Sequence, residues 1–254
     1  MIPRNDIGGT RQSRLTTDAR DERARLLHRI RRRFAVLTET VGVGPLTLHF
    51  TRIEDPNRVL DEVAAEEDRL EKVKGRRVSE DQLHLPYWAE LWDSATGMGQ
   101  RLVKWSREID LNGVCALDLG CGMGLSGTVA AALGCRVVFA DLEAPALLFA
   151  RLNSLPWGGR VRTRRLDWRS DRLGEQFDLI LGADILYERK QWDPLELFWR
   201  AHLAENGSVL LGEPGRQTGA LFVDWIRERG WKLEEYAEPV ETRSKPIRLF
   251  RLEK

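Results

Sequence analysis

The chain of 254 residues lacks the features that mark several classes of protein. No apolar run approaches 18 residues without a charge, so no membrane span is expected. Basic and acidic residues nearly balance, at 40 against 39, and a net charge of +1 gives no indication of bulk polyanion binding. The four histidines are scattered, and none pairs with an acid or a cysteine at metal-ligand spacing. The sequence therefore predicts neither a membrane span nor a metal site.

Cysteine is also scarce. Cys115, Cys121 and Cys135 show no C-x-x-C spacing, and they lie in strand or glycine-loop contexts. We expect them to be small core or loop residues of a reduced, cytoplasmic protein. Hydrophobic residues make up 42% of the chain, which is long enough for one full α/β domain plus an accessory region.

The most informative segment is V-C-A-L-D-L-G-C-G-M-G at residues 114–124, an apolar strand that runs into a glycine loop. Gly120, Gly122 and Gly124 allow positive φ angles and a close approach of a ligand to the backbone. Asp141 closes the next apolar run, where an acid can accept hydrogen bonds from both hydroxyls of a ribose. The pattern indicates a nucleotide-type cofactor, although a glycine loop on its own is often only a tight turn.

Two cofactors compete for this loop. Gly122, Gly124 and Gly127 match the dinucleotide pattern G-x-G-x-x-G, but Gly120 already occupies the turn directly after the strand. Asp118 completes D-x-G-x-G-x-G, and its carboxylate can favour an ammonium group directly or through water, whereas it would repel a pyrophosphate. The loop resembles motif I of the class I, seven-strand S-adenosylmethionine (SAM) methyltransferases. This resemblance favours SAM over NAD.

Apolar strand candidates alternate with helical stretches from residue 113 onward. The alternation predicts an α/β fold, a Rossmann-like, seven-stranded, mostly parallel sheet with helices on both faces. Two alternating runs at the end of the chain fit the terminal antiparallel strand pair of the methyltransferase fold. The predicted strands cover residues 114–119, 136–140, 161–166, 177–183, 207–212, 231–237 and 246–252. The predicted helices include residues 94–106, 143–153 and 218–229.

Residues 1–86 are predicted to form an N-terminal α+β extension, and residues 87–254 the methyltransferase domain. A helix is predicted over residues 18–37, where four apolar residues share one face: Leu26, Leu27, Ile30 and Phe34. Arginines crowd the other face of this helix. That face is either a docking surface for an acidic partner or RNA, or a solvated face whose long side chains also cover apolar surface.

The extension is also predicted to hold a strand hairpin and an acidic helix. Apolar and polar residues alternate from Leu46 to Phe50 after a Gly-Pro turn, which is typical of a strand. Asp55 and Pro56 are typical of an N-cap and a first helical position, and they predict a helix that ends near Gly75.

The second informative segment is L-P-Y-W-A-E-L-W at residues 85–92. The faces of Trp88 and Trp92 suit a cationic sulfonium or alkylammonium group, although paired tryptophans at this spacing are also typical of a packing seam. This segment, D-L-G-C-G and A-D-I-L-Y together resemble the lysine methyltransferase group of seven-strand enzymes, which includes the methyltransferase of the electron-transfer flavoprotein β subunit and its bacterial relatives. E-P-G-R at residues 213–216 also resembles the bacterial relatives.

The resemblance implies a set of site residues. Asp184 and Tyr187 match the acid-x-x-Tyr signature after the fourth strand and are the expected catalytic residues. Asp184 would orient the acceptor amine, with or without taking its proton, and Tyr187 would bond the amine or wall the channel; a capping Asp and a core Tyr are the alternative. The expected cofactor-binding residues are Trp88, Asp118, Gly120, Cys121, Gly122, Gly124, Asp141, Leu142, Asp167, Trp168 and Ala183.

Two of these assignments concern the adenine base, and one further residue, Asn153, lies at the end of the predicted helix over residues 143–153. Asp167 is expected to accept a hydrogen bond from the exocyclic amine of adenine, and Trp168 to cover the ring; a turn Asp with a half-buried Trp is the alternative. Asn153 matches a family position near the cofactor, or it only ends a helix.

The predicted function is SAM-dependent N-methylation of lysine side chains in a protein substrate. The alternatives are methylation of a small amine or a nucleic acid, and a cofactor-binding regulatory subunit. Nucleic acid is less favoured, because base N-methyltransferases of this fold commonly carry N/D-P-P-Y/F at the fourth strand, and A-D-I-L-Y lacks both prolines. A lysine is protonated near pH 7, so the site must hold the neutral amine in line with the methyl group.

Overall fold

The computed structural model of the chain describes residues 17–74 and 85–254. The predicted helix end near Gly75 lies outside these residues. The strands are β1 (Val36–Val43), β2 (Leu46–Ile53), β3 (Cys115–Leu119), β4 (Arg136–Asp141), β5 (Val161–Arg165), β6 (Phe177–Ala183), β7 (Leu203–Glu213), β8 (Lys232–Glu238) and β9 (Ile247–Glu253). The α-helices are α1 (Thr17–Arg31), α2 (Pro56–Lys74), α3 (Asp93–Trp105), α4 (Leu125–Ala132), α5 (Ala144–Asn153), α6 (Trp192–His202) and α7 (Gln217–Glu228).

Strands β3 to β9 form one seven-stranded sheet with the order β5-β4-β3-β6-β7-β9-β8. Its first five strands in that order run parallel, and β9 is antiparallel to both β7 and β8. The chain proceeds from β3 to β4 on one side and returns to β6 on the other, and open α/β sheets bind ligands at such a switch point. The predicted Rossmann-like, mostly parallel sheet is confirmed.

Helices cover both faces of this sheet. On one face, α3, α4 and α5 bury Met98, Val129 and Phe149. On the other face, α6 and α7 bury Trp192 and Phe222, whose ring centroids lie 5.2 Å apart. Burial of apolar surface at about 25 cal/mol per Å² makes these two layers the main source of stability.

The first helix is shorter than the sequence pattern predicts. The prediction for residues 18–37 is wrong beyond Arg31, because Val36–Val43 forms strand β1 instead. Five of the eight residues of this strand are β-branched, and it pairs antiparallel with β2 through a hairpin whose turn includes Gly44 at φ 56°. The pairing of β1 with β2 therefore outweighs the helical spacing of apolar residues, which extends to Phe34.

The strands of the main sheet agree with the predicted bounds to within one residue, with one exception. Strand β7 begins at Leu203, four residues before its predicted start. The pairing of β6 with β7 changes register between Phe177 and Leu179, so the polar residues before Ser208 form an irregularity inside the strand. From the sequence, these polar residues are typical of a turn.

The N-terminal extension packs against α5 through a buried polar contact. The side-chain oxygen of Asn153 accepts a hydrogen bond from Thr51 N at 2.8 Å, and its nitrogen donates to Thr51 O and to Met123 O, each at 3.0 Å. Asn153 thus ends α5, as one of the two predictions had it, and it also joins β2 to the loop after β3. The apolar core is continuous across this contact, and the division into residues 1–86 and 87–254 stays a prediction.

Within residues 17–74 and 85–254, no helix has both the length and the apolar character that a membrane span requires. In the same two segments, no group of three or more His, Cys, Asp or Glu residues is arranged to hold a metal ion.

We predict that Asn153→Ala lowers the free energy of unfolding by at least about 2 kcal/mol, because it leaves buried backbone groups of Thr51 and Met123 without a partner. Urea denaturation followed by circular dichroism measures the change. Asn206→Ala, at an exposed position of β7, is the matched control and should stay within about 0.5 kcal/mol of the wild type. Equal stability of the two variants would contradict the anchoring role of Asn153.

Candidate functional site

A cleft lies at the carboxyl ends of β3, β4, β5 and β6, where the switch point predicts a ligand. Its volume is ≈ 1090 Å³, including the space open to solvent at the mouth. The cleft brings together both expected catalytic residues and all expected cofactor-binding residues except Asp118. Those that line it are Trp88, Gly120, Cys121, Gly122, Gly124, Asp141, Leu142, Asp167, Trp168, Ala183, Asp184 and Tyr187.

The glycine loop after β3 forms one wall of the cleft. Gly122 has φ 51°, and its N–H donates to Asp141 Oδ2 at 2.9 Å. Gly124 has φ 84° and is the N-cap of helix α4; a Cβ there would lie 2.8 Å from Ala150. Glycine at position 124 is therefore required both by backbone conformation and by the close approach of α5.

Asp118 lies behind the loop rather than in the cleft. The residue is 1% exposed, and its Oδ2 accepts a hydrogen bond from Gly127 N at 2.8 Å. Burial raises the pKa of its carboxyl group to about 7, although the bond from Gly127 acts in the opposite direction. Asp118 thus stabilises the turn from the loop into α4. Its predicted contact with the amino-acid tail of the cofactor stays a prediction.

Asp141 lies in the cleft at the end of β4. Its Oδ2 accepts from Gly122 N and its Oδ1 accepts from Glu143 N, each at 2.9 Å. Burial raises the pKa of this carboxyl group to about 6, and the two backbone donors limit the shift. A carboxylate oxygen has two lone pairs, so each oxygen can still accept one further hydrogen bond from a ligand hydroxyl.

The loop after β5 forms the opposite end of the cleft. The indole N–H of Trp168 donates to Gln191 Oε1 at 3.1 Å, which fixes the plane of the ring beside Gly120. The carboxylate of Asp167 accepts from the guanidinium of Arg169, with the shortest contact at 2.7 Å. This ion pair orients Asp167, and an adenine amine would share the carboxylate with Arg169.

The aromatic segment before α3 does not form a continuous helix. Tyr87–Ala89 is one 3₁₀ turn, and the backbone is extended at Glu90 and Trp92. Trp88 is 8% exposed and packs its ring against Phe34, at 5.3 Å between centroids, so it contributes to the core as well as to the cleft wall. Trp88 therefore packs in the core, as the packing-seam interpretation predicts. Trp88 and Trp92 do not lie on one helix, however, so the helical spacing behind that interpretation is absent.

Asp184 directly follows β6 at the floor of the cleft. Its φ is 56°, the only positive value at a non-glycine residue within the described segments. Its backbone N–H donates to Gly212 O on β7 at 2.8 Å, which holds this uncommon conformation in place. The carboxylate accepts two hydrogen bonds from Arg216, Nε to Oδ1 at 3.1 Å and Nη2 to Oδ2 at 2.8 Å.

Tyr187 lines the cleft three residues after Asp184. Its ring meets the ring of Tyr87 edge-on, at 5.4 Å between centroids. Burial raises the pKa of the Tyr187 hydroxyl to about 12, so the group is protonated at physiological pH. It can therefore donate a hydrogen bond as well as accept one.

A second cavity adjoins the cleft on the other side of Asp184. It has a volume of ≈ 640 Å³, again counting open space, and the two cavities share a wall. The residues common to both are Glu90, Leu91, Trp92 and Asp184. The second cavity is polar on its far side, where Ser94, Arg216 and Arg243 line it. Arg216 was not among the site residues predicted from the sequence. Its position just after β7, at the same edge of the sheet, was the available signal.

The comparison with protein families identifies the chain. The model of the lysine methyltransferase family matches residues 76–224, more than half of the sequence. The chain belongs to this family. The resemblance carried by residues 85–92, the glycine loop and A-D-I-L-Y is therefore confirmed.

Two curated relatives agree with the lysine methyltransferase family. The protein N-lysine methyltransferase METTL21A of Danio rerio is 37% identical over 143 residues, which cover 53% of this chain and 64% of that protein. The EEF1A lysine methyltransferase 3 of Mus musculus is 34% identical over 134 residues, which cover 50% of this chain and 56% of that protein. The chain thus spans less than two thirds of the length of either relative.

A solved structure shares the fold. Magnesium protoporphyrin IX methyltransferase (ChlM) from Synechocystis PCC 6803, with bound SAM, superposes with a TM-score of 0.52 at 18% identity. The match covers 79% of this chain and 97% of that one. The likeness supports the methyltransferase fold that the strand order already indicates.

The buried charge of Asp118 predicts a pH dependence of stability. The carboxyl group of Asp118 has a pKa of about 7 in the folded chain, against a reference value of 3.8. Between these two pH values, Asp118 is ionised in the unfolded chain while the folded chain still holds the proton. The contribution of Asp118 to the free energy of unfolding is therefore most favourable below about pH 4, and it decreases as the pH rises to about 7. Asp118→Asn keeps an acceptor for Gly127 N but removes this charge, so the melting temperature of the ligand-free variant should exceed that of the wild type above pH 7.

Calorimetry or fluorescence melting from pH 4 to pH 8 measures the difference, which should shrink toward pH 4. Asp178→Asn is the control, because Asp178 also accepts a backbone N–H, from Cys115 at 2.9 Å, but lies at the other end of the sheet. Parallel pH profiles for the wild type and Asp118→Asn would show that Asp118 ionises normally.

Proposed function

We propose that this chain is a SAM-dependent N-methyltransferase that modifies lysine side chains of a protein substrate. The observation that carries the proposal is one cleft in which Asp141, the glycine loop and Trp168 meet the Asp184 and Tyr187 pair. Membership of the lysine methyltransferase family and the printed names of METTL21A and the EEF1A enzyme support the choice of acceptor. The SAM bound in the ChlM structure supports the choice of cofactor.

The chemistry of the cleft residues fits the parts of SAM. Asp141 supplies acceptors for a vicinal diol, because both of its oxygens keep a lone pair beyond their backbone bonds. Leu142 and Trp168 offer an apolar edge and an aromatic face for the base. Trp88 and the glycine loop lie on the side where a compact cationic group would be accommodated.

The protein would act mainly by positioning. Bound SAM supplies a methyl group on a cationic sulfur, and the bond from methyl carbon to the amine nitrogen forms as the carbon–sulfur bond breaks, its electron pair going to sulfur. Asp184 would hold the amine of the acceptor at the floor of the cleft. Tyr187, protonated and half-buried, would donate to or accept from the same amine. The aromatic walls would exclude water around them.

The acceptor would enter through the second cavity. That cavity meets the cofactor cleft at Asp184 and Trp92, a carboxylate and an aromatic ring, which together suit an alkylamine or its cation. Its volume of ≈ 640 Å³, counted with its open mouth, accommodates a long side chain projected from a protein surface. The arginine-rich face of α1 offers little support for RNA as the acceptor, because it lies in the extension, on the α5 side of the sheet. A reducing, cytoplasmic setting stays part of the proposal.

For the cofactor, we predict micromolar binding of SAM and of its demethylated product, with no measurable binding of NAD. Asp141→Asn should weaken SAM binding about tenfold or more, because hydrogen bonds to a charged acceptor contribute roughly 1.5–3 kcal/mol each. Isothermal titration calorimetry is the measurement. Asp178→Asn, a carboxylate that also accepts a backbone N–H but lies away from the cleft, is the matched control. Binding of NAD without SAM would overturn the cofactor assignment.

For the acceptor, we predict that Asp184→Asn and Tyr187→Phe leave SAM affinity within about threefold. Turnover should fall, by on the order of a hundredfold for Asp184→Asn, because the amine loses its orienting partner. Asparagine tolerates the positive φ at this position, so the fold should persist. Asp193→Asn, which removes an exposed ion pair with Arg229, is the control.

Labelled SAM incubated with a proteome, followed by peptide mass spectrometry, identifies the modified atom. Methyl groups on lysine nitrogen support the proposal. Label on histidine or arginine, on a backbone amine or only in RNA would contradict it, and wild-type turnover in Asp184→Asn would remove this residue from the mechanism.

A further inference from the structure

Arg216 holds the carboxylate that the proposed function assigns to the acceptor amine. The two bonds run from Nε to Oδ1 and from Nη2 to Oδ2 of Asp184, so one guanidinium engages both oxygens. The side chain of Asp184 is 5% exposed, whereas that of Arg216 is 41% exposed. Arg216 lines the second cavity but not the cofactor cleft. The cation therefore approaches Asp184 from the side through which the acceptor would enter.

The backbone that carries Arg216 is fixed. Glu213, 1% exposed at the end of β7, accepts hydrogen bonds through Oε1 from Gly215 N, at 2.9 Å, and from Arg216 N. The guanidinium also lies 5.7 Å from the centre of the Trp92 ring. Arg216 is thus fixed by the backbone of its loop, by the carboxylate of Asp184 and by the ring of Trp92. These additional contacts distinguish it from an ordinary surface ion pair.

The other charged and titratable groups around the pair do not replace Arg216. Arg243 lines the same cavity, but its guanidinium pairs with Asp93 at 3.5 Å and donates to Pro214 O. Glu213 lies near Arg248, at 3.7 Å. Three further side chains near the pair are a carboxylic acid and two phenols, and they supply no cation: Glu90, Tyr87 and Tyr187. Within the described residues, Arg216 is the cation that hydrogen-bonds Asp184.

A lone carboxylate would be a poor partner for a nucleophilic amine. It stabilises the ammonium form and raises the pKa of the amine, and an ammonium has no lone pair with which to attack. When a carboxylate is paired with a guanidinium, the two groups together carry no net charge. The carboxylate still accepts hydrogen bonds through its remaining lone pairs.

We propose that Arg216 is a positioning residue that neutralises Asp184, so that this carboxylate orients the acceptor amine in its uncharged form. The inference rests on the proposed function. The bound ammonium first loses one proton to water; the neutral nitrogen then forms its bond to the methyl carbon while the carbon–sulfur bond breaks toward sulfur. The positive charge passes from sulfur to nitrogen, and a second proton leaves later. Arg216 stays on Asp184 throughout.

The first test is the pH dependence of turnover with a lysine peptide identified as an acceptor. In Arg216→Gln the uncompensated Asp184 favours the ammonium, so the rising limb of kcat should move up by about one pH unit or more. At pH 7.5, kcat should fall about tenfold while KM for the peptide stays equal or decreases. Arg216→Lys keeps the charge and should remain close to the wild-type profile. Arg229→Gln, at an exposed ion pair with Asp193, is the control.

The second test needs no turnover. Calorimetry measures the binding of n-butylamine to the complex with the demethylated cofactor from about pH 8 to pH 10.5, across the ordinary range of an alkylamine. The wild type should bind more tightly as the pH rises, because the neutral amine becomes more abundant. Arg216→Gln should bind less tightly over the same range, because its site selects the ammonium. The double variant Asp184→Asn/Arg216→Gln, with no net charge at the pair, should regain the wild-type direction.

Three results would overturn the inference. A pH-independent loss of kcat in Arg216→Gln would indicate a structural role alone. A lower KM with unchanged kcat would indicate that Arg216 only blocks the acceptor site and is displaced by the substrate. The same direction of amine binding in the wild type and in Arg216→Gln would show that the pair charge does not select the neutral amine. Failure of the proposed function is distinct, because the wild type would then bind no SAM and label no protein.

Discussion

Hydrogen bonds from backbone N–H groups to buried carboxylates are the interaction on which the site depends. Asp118 and Asp141 accept from Gly127 N and Gly122 N, and they hold the glycine loop in the conformation that lines the cleft. Glu213 does the same for the loop after β7. Burial raises the pKa of all three carboxyl groups, so each acid adopts a position that is costly when ionised. The cost of ionising these buried acids is thus concentrated at the strand ends where a ligand would bind.

The fourth acid at this edge is stabilised differently. Asp184 has a positive φ and an arginine partner rather than backbone donors to its carboxylate. Its pairing with Arg216 lies where the second cavity adjoins the cofactor cleft. Under the proposed function, this pairing would explain how a carboxylate can hold an amine that must be neutral to react.

The N-terminal extension contributes to the same architecture. Asn153 joins Thr51 of β2 to Met123 of the glycine loop, so the hairpin stabilises the wall of the cleft from behind. Trp88 packs on Phe34, a residue of the extension, and also lines the cleft. Both contacts join residues far apart in the chain. The spacing of apolar residues in the sequence does not encode such contacts. The same spacing led residues 36 and 37, the first two of β1, to be predicted as the end of a helix.

The sequence by itself determined the parallel sheet, the bounds of its strands apart from the start of β7, and the side chains at the ends of β3 to β6. These features are local, since apolar runs, glycines and the acids after them follow directly from strand geometry. Only the tertiary structure decided that Asp118 lies behind the loop, that Trp88 belongs to the core, and that Arg216 binds Asp184. Those outcomes depend on which distant loops meet at one edge of the sheet. Whether a charged side chain is buried or paired depends on these long-range contacts, so no local sequence pattern encodes it.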